Sequence, residues 1–244
     1  MYNNMAYVYD RLMYDVDYKK WADYIEKIFK KYKEPHLLLD LGCGTGSFAV
    51  EMAGRGYEMI GIDISDDMLS CAENKALSSG ADILFLNQDM CDFELYGTVD
   101  AVTCLMDGIN HITCKKKLWR MLGLVKNYLN PGGVFVFDIN TRYKIEEVLG
   151  NNVFYDMSDE LSYIWANSYD EKRRVCEFDL TFFIKENELY KRFEETQYEK
   201  AYDIKELEFM LKLAGFKILG IYDELSFKSF KKESQRVFFE CVKV

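Results

Sequence analysis

The segment Leu37-Leu38-Leu39-Asp40-Leu41, running into Gly42-x-Gly44-x-Gly46, constrains this chain more than any other stretch. An apolar run closed by glycines reads as a buried strand, Leu37–Leu41, that turns sharply into a helix over Ser47–Arg55. Glycine is needed where the backbone turns tightly and where a ligand must approach within contact distance. The following helix offers unpaired N–H groups and a positive dipole end to a carboxylate or phosphate. A glycine turn alone suits any nucleotide, so its surroundings decide what it holds.

Those surroundings alternate between short apolar runs and amphipathic stretches. Residues 3–33 place Tyr7, Tyr14, Trp21, Tyr24, Ile25, Ile28 and Phe29 at helical spacing and stop before Pro35. Strands are expected over Met59–Ile64, Ile83–Asn87, Ala101–Met106 and Val134–Ile139. Helices are expected over Asp66–Leu77, capped by Ser65, and over Lys115–Tyr128. Buried strands separated by helices predict an α/β fold whose parallel sheet is covered on both faces. Residues 152–200 change period. Cys176, Phe178, Leu180, Phe182 and Ile184 fall on one face and Glu177, Asp179, Thr181 and Lys185 mostly on the other, which predicts an antiparallel insertion with a turn at Glu186-Asn187-Glu188. A helix over Ile204–Ala214, ended by Gly215, and strands over Lys217–Tyr222 and Arg236–Val242 complete the sheet. The expected organisation is one α/β domain from 1–140 and 201–244, with a helical cap over 1–34 and an inserted antiparallel β lid over 141–200.

Asp63 ends the second strand, where an acidic side chain accepts hydrogen bonds from the two ribose hydroxyls of an adenine nucleoside. The dinucleotide fingerprint Gly-x-Gly-x-x-Gly would need glycine at Ser47 and lacks it. Leu39-Asp40-Leu41-Gly42-Cys43-Gly44-Thr45-Gly46 instead resembles the first motif of class I S-adenosylmethionine-dependent methyltransferases. Ile60-Gly61-Ile62-Asp63-Ile64-Ser65 resembles the second motif and Asn87-Gln88-Asp89-Met90 the adenine-contacting one. Val99-Asp100-Ala101-Val102 and Leu129-Asn130-Pro131-Gly132-Gly133 resemble the entry to the fourth strand and the turn before the fifth. The resemblance covers about residues 37–140 and implies a Rossmann-like seven-stranded sheet that binds S-adenosylmethionine and releases S-adenosylhomocysteine. It implies that Asp40 orders the glycine loop of Gly42, Cys43, Gly44 and Gly46, and that Asp63 takes the ribose. Ile64 and Met68 would pack on the adenine, Asp89 would accept from its amino group, the Met90 N–H would donate to a ring nitrogen, and Leu105 and Met106 would line the methionine arm. For Met68 and Met90, ordinary core packing is an equal alternative.

In the small-molecule branch of this family an N-terminal segment folds over the cofactor. Here it carries Tyr7, Tyr9, Tyr14 and Trp21, of which Tyr9 is the candidate cofactor contact and Tyr14 a candidate catalytic contact. Of the two histidines, His36 precedes the first strand, and His111 follows the fourth in Met106-Asp107-Gly108-Ile109-Asn110-His111. His111 is the candidate general base if the nucleophile arrives protonated, with helix capping as the competing role. The Asn/Asp-Pro-Pro-Tyr motif of exocyclic-amine nucleic-acid methyltransferases is absent. Asp107, Asp138 and Asn140 end strands as magnesium ligands do in catechol-type O-methyltransferases, but Ile139 separates the last two, so no metal is expected. The position of the insertion resembles glycine N-methyltransferase-like and amino-sugar N,N-dimethyltransferase-like enzymes. Its Tyr155, Tyr163, Trp165, Tyr169, Phe178, Phe183, Tyr190, Phe193 and Tyr198 would form a lid over a small acceptor or a homodimer surface.

Composition narrows the partners. A net charge of −10 repels phosphate backbones, and Lys115-Lys116-Lys117 reads as a solvated helix face, so nucleic acid is not the expected partner. The start Met1-Tyr2-Asn3-Asn4 lacks a secretion signal, and no apolar run reaches membrane-spanning length. Seven scattered cysteines without a Cys-x-x-Cys pair fit reduced thiols in the cytoplasm. The expected function is methyl transfer to an amine or hydroxyl of a small molecule. The competing readings are a methyltransferase of RNA or protein, a non-catalytic S-adenosylmethionine-binding protein, and a nicotinamide-dependent dehydrogenase.

Overall fold

In the computed structural model, which describes residues 4–32 and 34–244 without the side chains of Asn4 and Tyr7, two sheets are built in sequence. The first has seven strands: β1 (Leu37–Leu41), β2 (Glu58–Asp63), β3 (Ile83–Asn87), β4 (Val99–Cys104), β5 (Leu129–Asn140), β10 (Phe216–Asp223) and β11 (Arg236–Lys243). Their order is β10-β11-β5-β4-β1-β2-β3. β1 is parallel to β2 and β4, whereas β11 is antiparallel to both β5 and β10. Chain order reverses between β1 and β4, so their carboxyl ends flank the crevice where open α/β sheets bind ligands.

Alternation along the strands fills both faces. Leu39 and Leu41 point into a cluster with Leu118, Met121, Leu122 and Val125 of α5 (Lys115–Tyr128) and Leu207, Met210 and Leu211 of α6 (Ile204–Ala214). Leu38 points the other way, against α2 (Tyr18–Phe29) and α3 (Ser47–Gly54). α4 (Asp66–Ser79) starts as the sequence requires, with the Ser65 hydroxyl accepting from Met68 N–H at 3.3 Å.

Three local expectations are corrected. The helical N-terminal segment is two helices, α1 (Asn4–Leu12) and α2, because Asp17 accepts from Lys20 N–H at 3.2 Å and starts a new helix. The Asn130-Pro131-Gly132-Gly133 turn lies within β5 as a bulge: Leu129 pairs with Val99 and Val134 with Ala101, with Gly132 at φ +74° between them. A π-helix over Lys144–Leu149, which the period-two pattern did not announce, lies within the segment 141–200 ahead of its sheet.

The insertion is a four-stranded antiparallel sheet, β6 (Val153–Met157), β7 (Leu161–Asp170), β8 (Val175–Glu186) and β9 (Leu189–Lys200). β8 and β9 are joined through Asn187 at φ +60°, with Glu186 opposite Leu189. The predicted face of β8 turns inward: Cys176, Phe178, Phe182 and Ile184 are buried. Phe182, Ile184, Leu161 and Phe193 pack with Met5 and Val8, so the sheet rests on α1.

Candidate active site

The glycine turn gathers its own ties at the crevice. Gly42 and Cys43 N–H both donate to Ile62 O, at 2.8 and 3.0 Å, fastening the turn to the end of β2. Asp63 accepts from Gly44 N–H at 2.9 Å with one oxygen and from Ser65 N–H at 2.9 Å with the other. Burial raises its carboxyl above the usual range, while those backbone amides pull it back. Asp40 is buried, and Thr103 donates to it at 2.7 Å. Burial pushes its carboxyl up to about 7, the Thr103 bond opposing and Asp63 adding to the rise. Gly44 has open space where a Cβ would lie, which is the room a ligand backbone approach needs.

Gly46 shows why glycine is required at the helix entry. Its φ is +72°, and a Cβ there would sit 2.8 Å from Ala72 Cβ on α4. Gly46→Ala is therefore expected to cost about 1–3 kcal/mol in backbone strain and overpacking, read as a lowered Tm with and without S-adenosylhomocysteine.

The remaining cofactor candidates follow the crevice. Ile64 is 71% exposed and offers an uncovered apolar surface. Met68 packs against the cluster that joins α1 to the inserted sheet. Asp89 accepts from Cys91 N–H at 2.8 Å and pairs with Lys117 at 3.2 Å. Burial works against its charge, but these partners hold its carboxyl below the usual range. Met90 reaches back over the turn, its Cε 3.1 Å from where a Gly42 Cβ would be.

A narrow cleft of about 30 Å³ is lined by Tyr9, Tyr18, Asp40, the turn from Gly42 to Thr45, Leu105 and Met106. Beside it a half-open cavity of about 280 Å³ is walled on one side by the inserted sheet. Its walls are Tyr9, Met106, Tyr163, Trp165, Phe178 and Leu180, and its polar end holds Asp107, His111, Asn140, Lys144, Glu199 and Arg236. Tyr9 and Met106 line both spaces and so mark where they meet. α1 is held over the cleft by Asp10, which accepts from Thr45 Oγ1 at 2.6 Å and pairs with Lys75 at 2.8 Å.

Not every aromatic candidate reaches this region. Tyr14 is 82% exposed because α1 ends at Leu12 and leaves it in the turn, and it lines neither the cleft nor the cavity. Trp21 is buried against Phe238, with ring centroids 5.2 Å apart, in the core under α2. The Tyr7 side chain lies outside the described residues.

The polar end rests on a group the sequence reading missed. Arg236 donates to Asp107 at 2.6 Å and to Asp138, while its guanidinium lies 5.5 Å from the Trp21 ring. The two carboxylates weighed as magnesium ligands are thus both given to an arginine. Burial opposes ionisation of Asp107, but Arg236, His111 and Lys144 hold it below the usual range. Asp138 is pushed up to about 6 by burial, against the pull of Arg236. Met106 and Asp107 both have positive φ, +55° and +56°. Asp107 N–H donates to Asp138 at 3.0 Å, so the arginine-bound pair holds a backbone that would otherwise relax. His111 stands at the rim, its Nε2 3.8 Å from Asp107. Lys144 and Glu199 were also missed. The available signal was the polar run Glu195, Gln197 and Glu199 in the same inward register as Phe193 on β9.

Comparison with known proteins agrees with this geometry. The family described as "Methyltransferase domain" matches residues 38–133. The Bacillus subtilis protein named "Putative methyltransferase YqeM" is 34% identical over 244 residues, covering 100% of this chain and 97% of its own. The crystal structure of an S-adenosylmethionine-dependent methyltransferase from Clostridium acetobutylicum superimposes with a TM-score of 0.91 at 35% identity, covering 99% of this chain and 98% of that one. The sugar N-methyltransferase KedS8 from a Streptoalloteichus species shares the fold, with a TM-score of 0.80 at 19% identity over 97% and 92% of the two chains.

Proposed function

This chain belongs to the S-adenosylmethionine-dependent methyltransferases, and from that premise we propose that it methylates an amine or hydroxyl of a small molecule held under the inserted sheet. The observation that carries this reading is the meeting of the glycine-turn cleft and the cavity under the inserted sheet at Tyr9 and Met106. Methyl transfer needs a donor site and an acceptor site that share a wall.

The residues at the crevice fit the cofactor in kind: a carboxylate at Asp63, an exposed apolar platform at Ile64 and open backbone at Gly44. When bound, S-adenosylmethionine supplies a methyl group on a positively charged sulfur. Asp63 would take the ribose hydroxyls, Ile64 and Met68 would face the adenine, and Asp89 with the Met90 N–H would read its edge. Asp40 would order Gly42, Cys43, Gly44 and Gly46 beside the methionine arm, which Leu105 and Met106 would line. Tyr9 lines both the cleft and the cavity and would exclude water from the reacting atoms.

On this reading the segment 141–200 is a lid on the domain of 1–140 and 201–244. A cavity of about 280 Å³ suits a small acceptor and no polymer end of appreciable size. Lys115 and Lys117 are tied to Glu206 and Asp89, which weakens the basic run as a nucleic-acid surface. No helix among the described residues is long and apolar enough to cross a membrane. A reducing, cytoplasmic setting suits seven free thiols. The outer face of the lid exposes Val153, Tyr155, Met157 and Ile164, which supports a homodimer formed there, to be read by light scattering.

The test is transfer of labelled methyl from S-adenosylmethionine into a whole-cell extract, followed by size fractionation. Label is expected among small molecules. Label confined to protein or RNA would replace the acceptor class, and none at all would favour a binding role. Calorimetry is expected to show binding of S-adenosylmethionine and S-adenosylhomocysteine but not of NAD.

A further inference from the structure

Glu199 lies near the end of β9 in the inward register opposite Cys176, and it is 4% exposed. Its Oε2 accepts from Asn140 Nδ2 at 2.8 Å. Asn140 is itself clamped, since its N–H donates to Asn110 Oδ1 at 3.0 Å and Asn110 Nδ2 donates to Asn140 O and Lys200 O, both at 3.0 Å. This stitch joins the end of β5 to the end of β9 and fixes the direction of the carboxyl. Oε1 has no hydrogen-bond partner among the described residues, and Glu199 lines the cavity. Burying a carboxyl without a direct cationic partner is costly, and Lys144 spends its bond on Asn140 Oδ1 at 2.9 Å instead.

What faces Glu199 gives that cost a use. One acceptor-type atom each from Asp107, His111 and Glu199 lies within 4.8 Å of the other two. Three atoms so spaced have a common point within about 2.8 Å of each, which is hydrogen-bond distance. A nucleophile placed there would touch all three. Asp107 is a poor proton acceptor because Arg236 already holds it as an anion. His111, with 40% of its side chain exposed, stands between the cavity and solvent.

We propose that Glu199, carried in by the inserted sheet, accepts the proton that leaves the acceptor's nucleophile, and that it ionises only when the positive charge of the cofactor enters the site. The proposal rests on the small-molecule reading above. Burial, with Asp107 adding to it, raises the Glu199 carboxyl well above its ordinary range, while Asn140, Lys144 and Arg236 pull it down. The groups around it are Asp107 and His111 after β4, Asn140 and Asp138 on β5, Lys144 on the π-helix, Cys176 opposite it on β8, Arg236 on β11 and Tyr9 on α1. Lys144 is itself held below its usual range by burial and by Arg236, so the balance among them is poised. A further positive charge beside Met106 favours the ionised carboxyl. The protons then balance over one turnover. Glu199 loses its proton to solvent past His111 as the cofactor binds. As the nucleophile forms its bond to the methyl carbon and the carbon–sulfur bond breaks, Glu199 takes the nucleophile's proton. Neutral Glu199 and neutral S-adenosylhomocysteine remain, and one proton has been released overall.

Calorimetry in two buffers of different ionisation enthalpy at pH 7 tests the ionisation without needing an acceptor. The wild type is expected to release about one proton on binding S-adenosylmethionine and close to none on binding S-adenosylhomocysteine. Glu199→Gln is expected to lose this difference while keeping its affinity for S-adenosylhomocysteine, and His111→Gln to keep it. Labelled transfer into the small-molecule fraction is expected to fall on the order of 100-fold in Glu199→Gln and to recover partly in Glu199→Asp. Equal proton release for the two ligands in the wild type overturns the proposal even if no variant folds. So does unaltered transfer by Glu199→Gln, or transfer that EDTA abolishes and magnesium restores. If the wild type labels only protein or RNA, the small-molecule reading fails while the calorimetry still judges Glu199.

Discussion

Replacing Asp63 with alanine is expected to weaken S-adenosylmethionine and S-adenosylhomocysteine to the same degree, by at least 100-fold on the order of magnitude. Hydrogen bonds to a charged group contribute about 1.5–3 kcal/mol each, and two ribose hydroxyls would lose such a partner. The ribose is common to both ligands, so equal loss is the signature of this contact. The same carboxylate accepts from Gly44 and Ser65 N–H, so the turn loosens as well. Asp63→Asn keeps one acceptor oxygen and is expected to lose less. Calorimetric titration of both ligands reads the outcome, and circular dichroism confirms the fold. Unequal loss would move Asp63 away from the ribose.

Arg236→Met is expected to destabilise the protein by about 3–5 kcal/mol near pH 8, because it removes the cation that bonds to both carboxylates. Asp138 is fully buried and Asp107 half-buried, with side-chain exposures of 0% and 17%. Asp138 Oδ1 has no hydrogen-bond partner among the described residues. The loss depends on pH with a definite sign. A carboxyl whose folded-state pKa is raised favours the fold at low pH and loses that contribution as pH rises through the folded value. For Asp138 that value is about 6 with Arg236 in place, and removing the cation raises it further. The destabilisation is therefore expected to shrink at pH 5 and to grow toward pH 8, read from urea unfolding at each pH. Cofactor affinity is expected to change less than stability, since Arg236 lines the acceptor cavity and not the glycine-turn cleft.

Much of the fold was legible because its causes are local. Apolar runs at Leu37–Leu41 and Ile83–Asn87 became strands with those limits, and Ile204–Ala214 became the helix that Gly215 ends at φ +87°. The alternation at Cys176–Ile184 predicted which face of β8 is buried. The N-terminal aromatics misled because helical spacing does not say where one helix stops and another begins. Asp17 made that break, putting Tyr9 at the junction of cleft and cavity and Tyr14 out in solvent.

The glycine turn, the strand-ending Asp63 and the order of strands and helices were determined by the sequence alone. Each depends on backbone conformations and periodicities that a few neighbouring residues impose. The polar end of the cavity was decided only by the tertiary structure. Arg236 and Asp107 lie 129 positions apart, and Asn140 and Glu199 lie 59 apart. They meet because β11 enters antiparallel beside β5 and because β9 ends against the Asn110–Asn140 stitch. Sheet order and register set those distances, and no short window of sequence carries them.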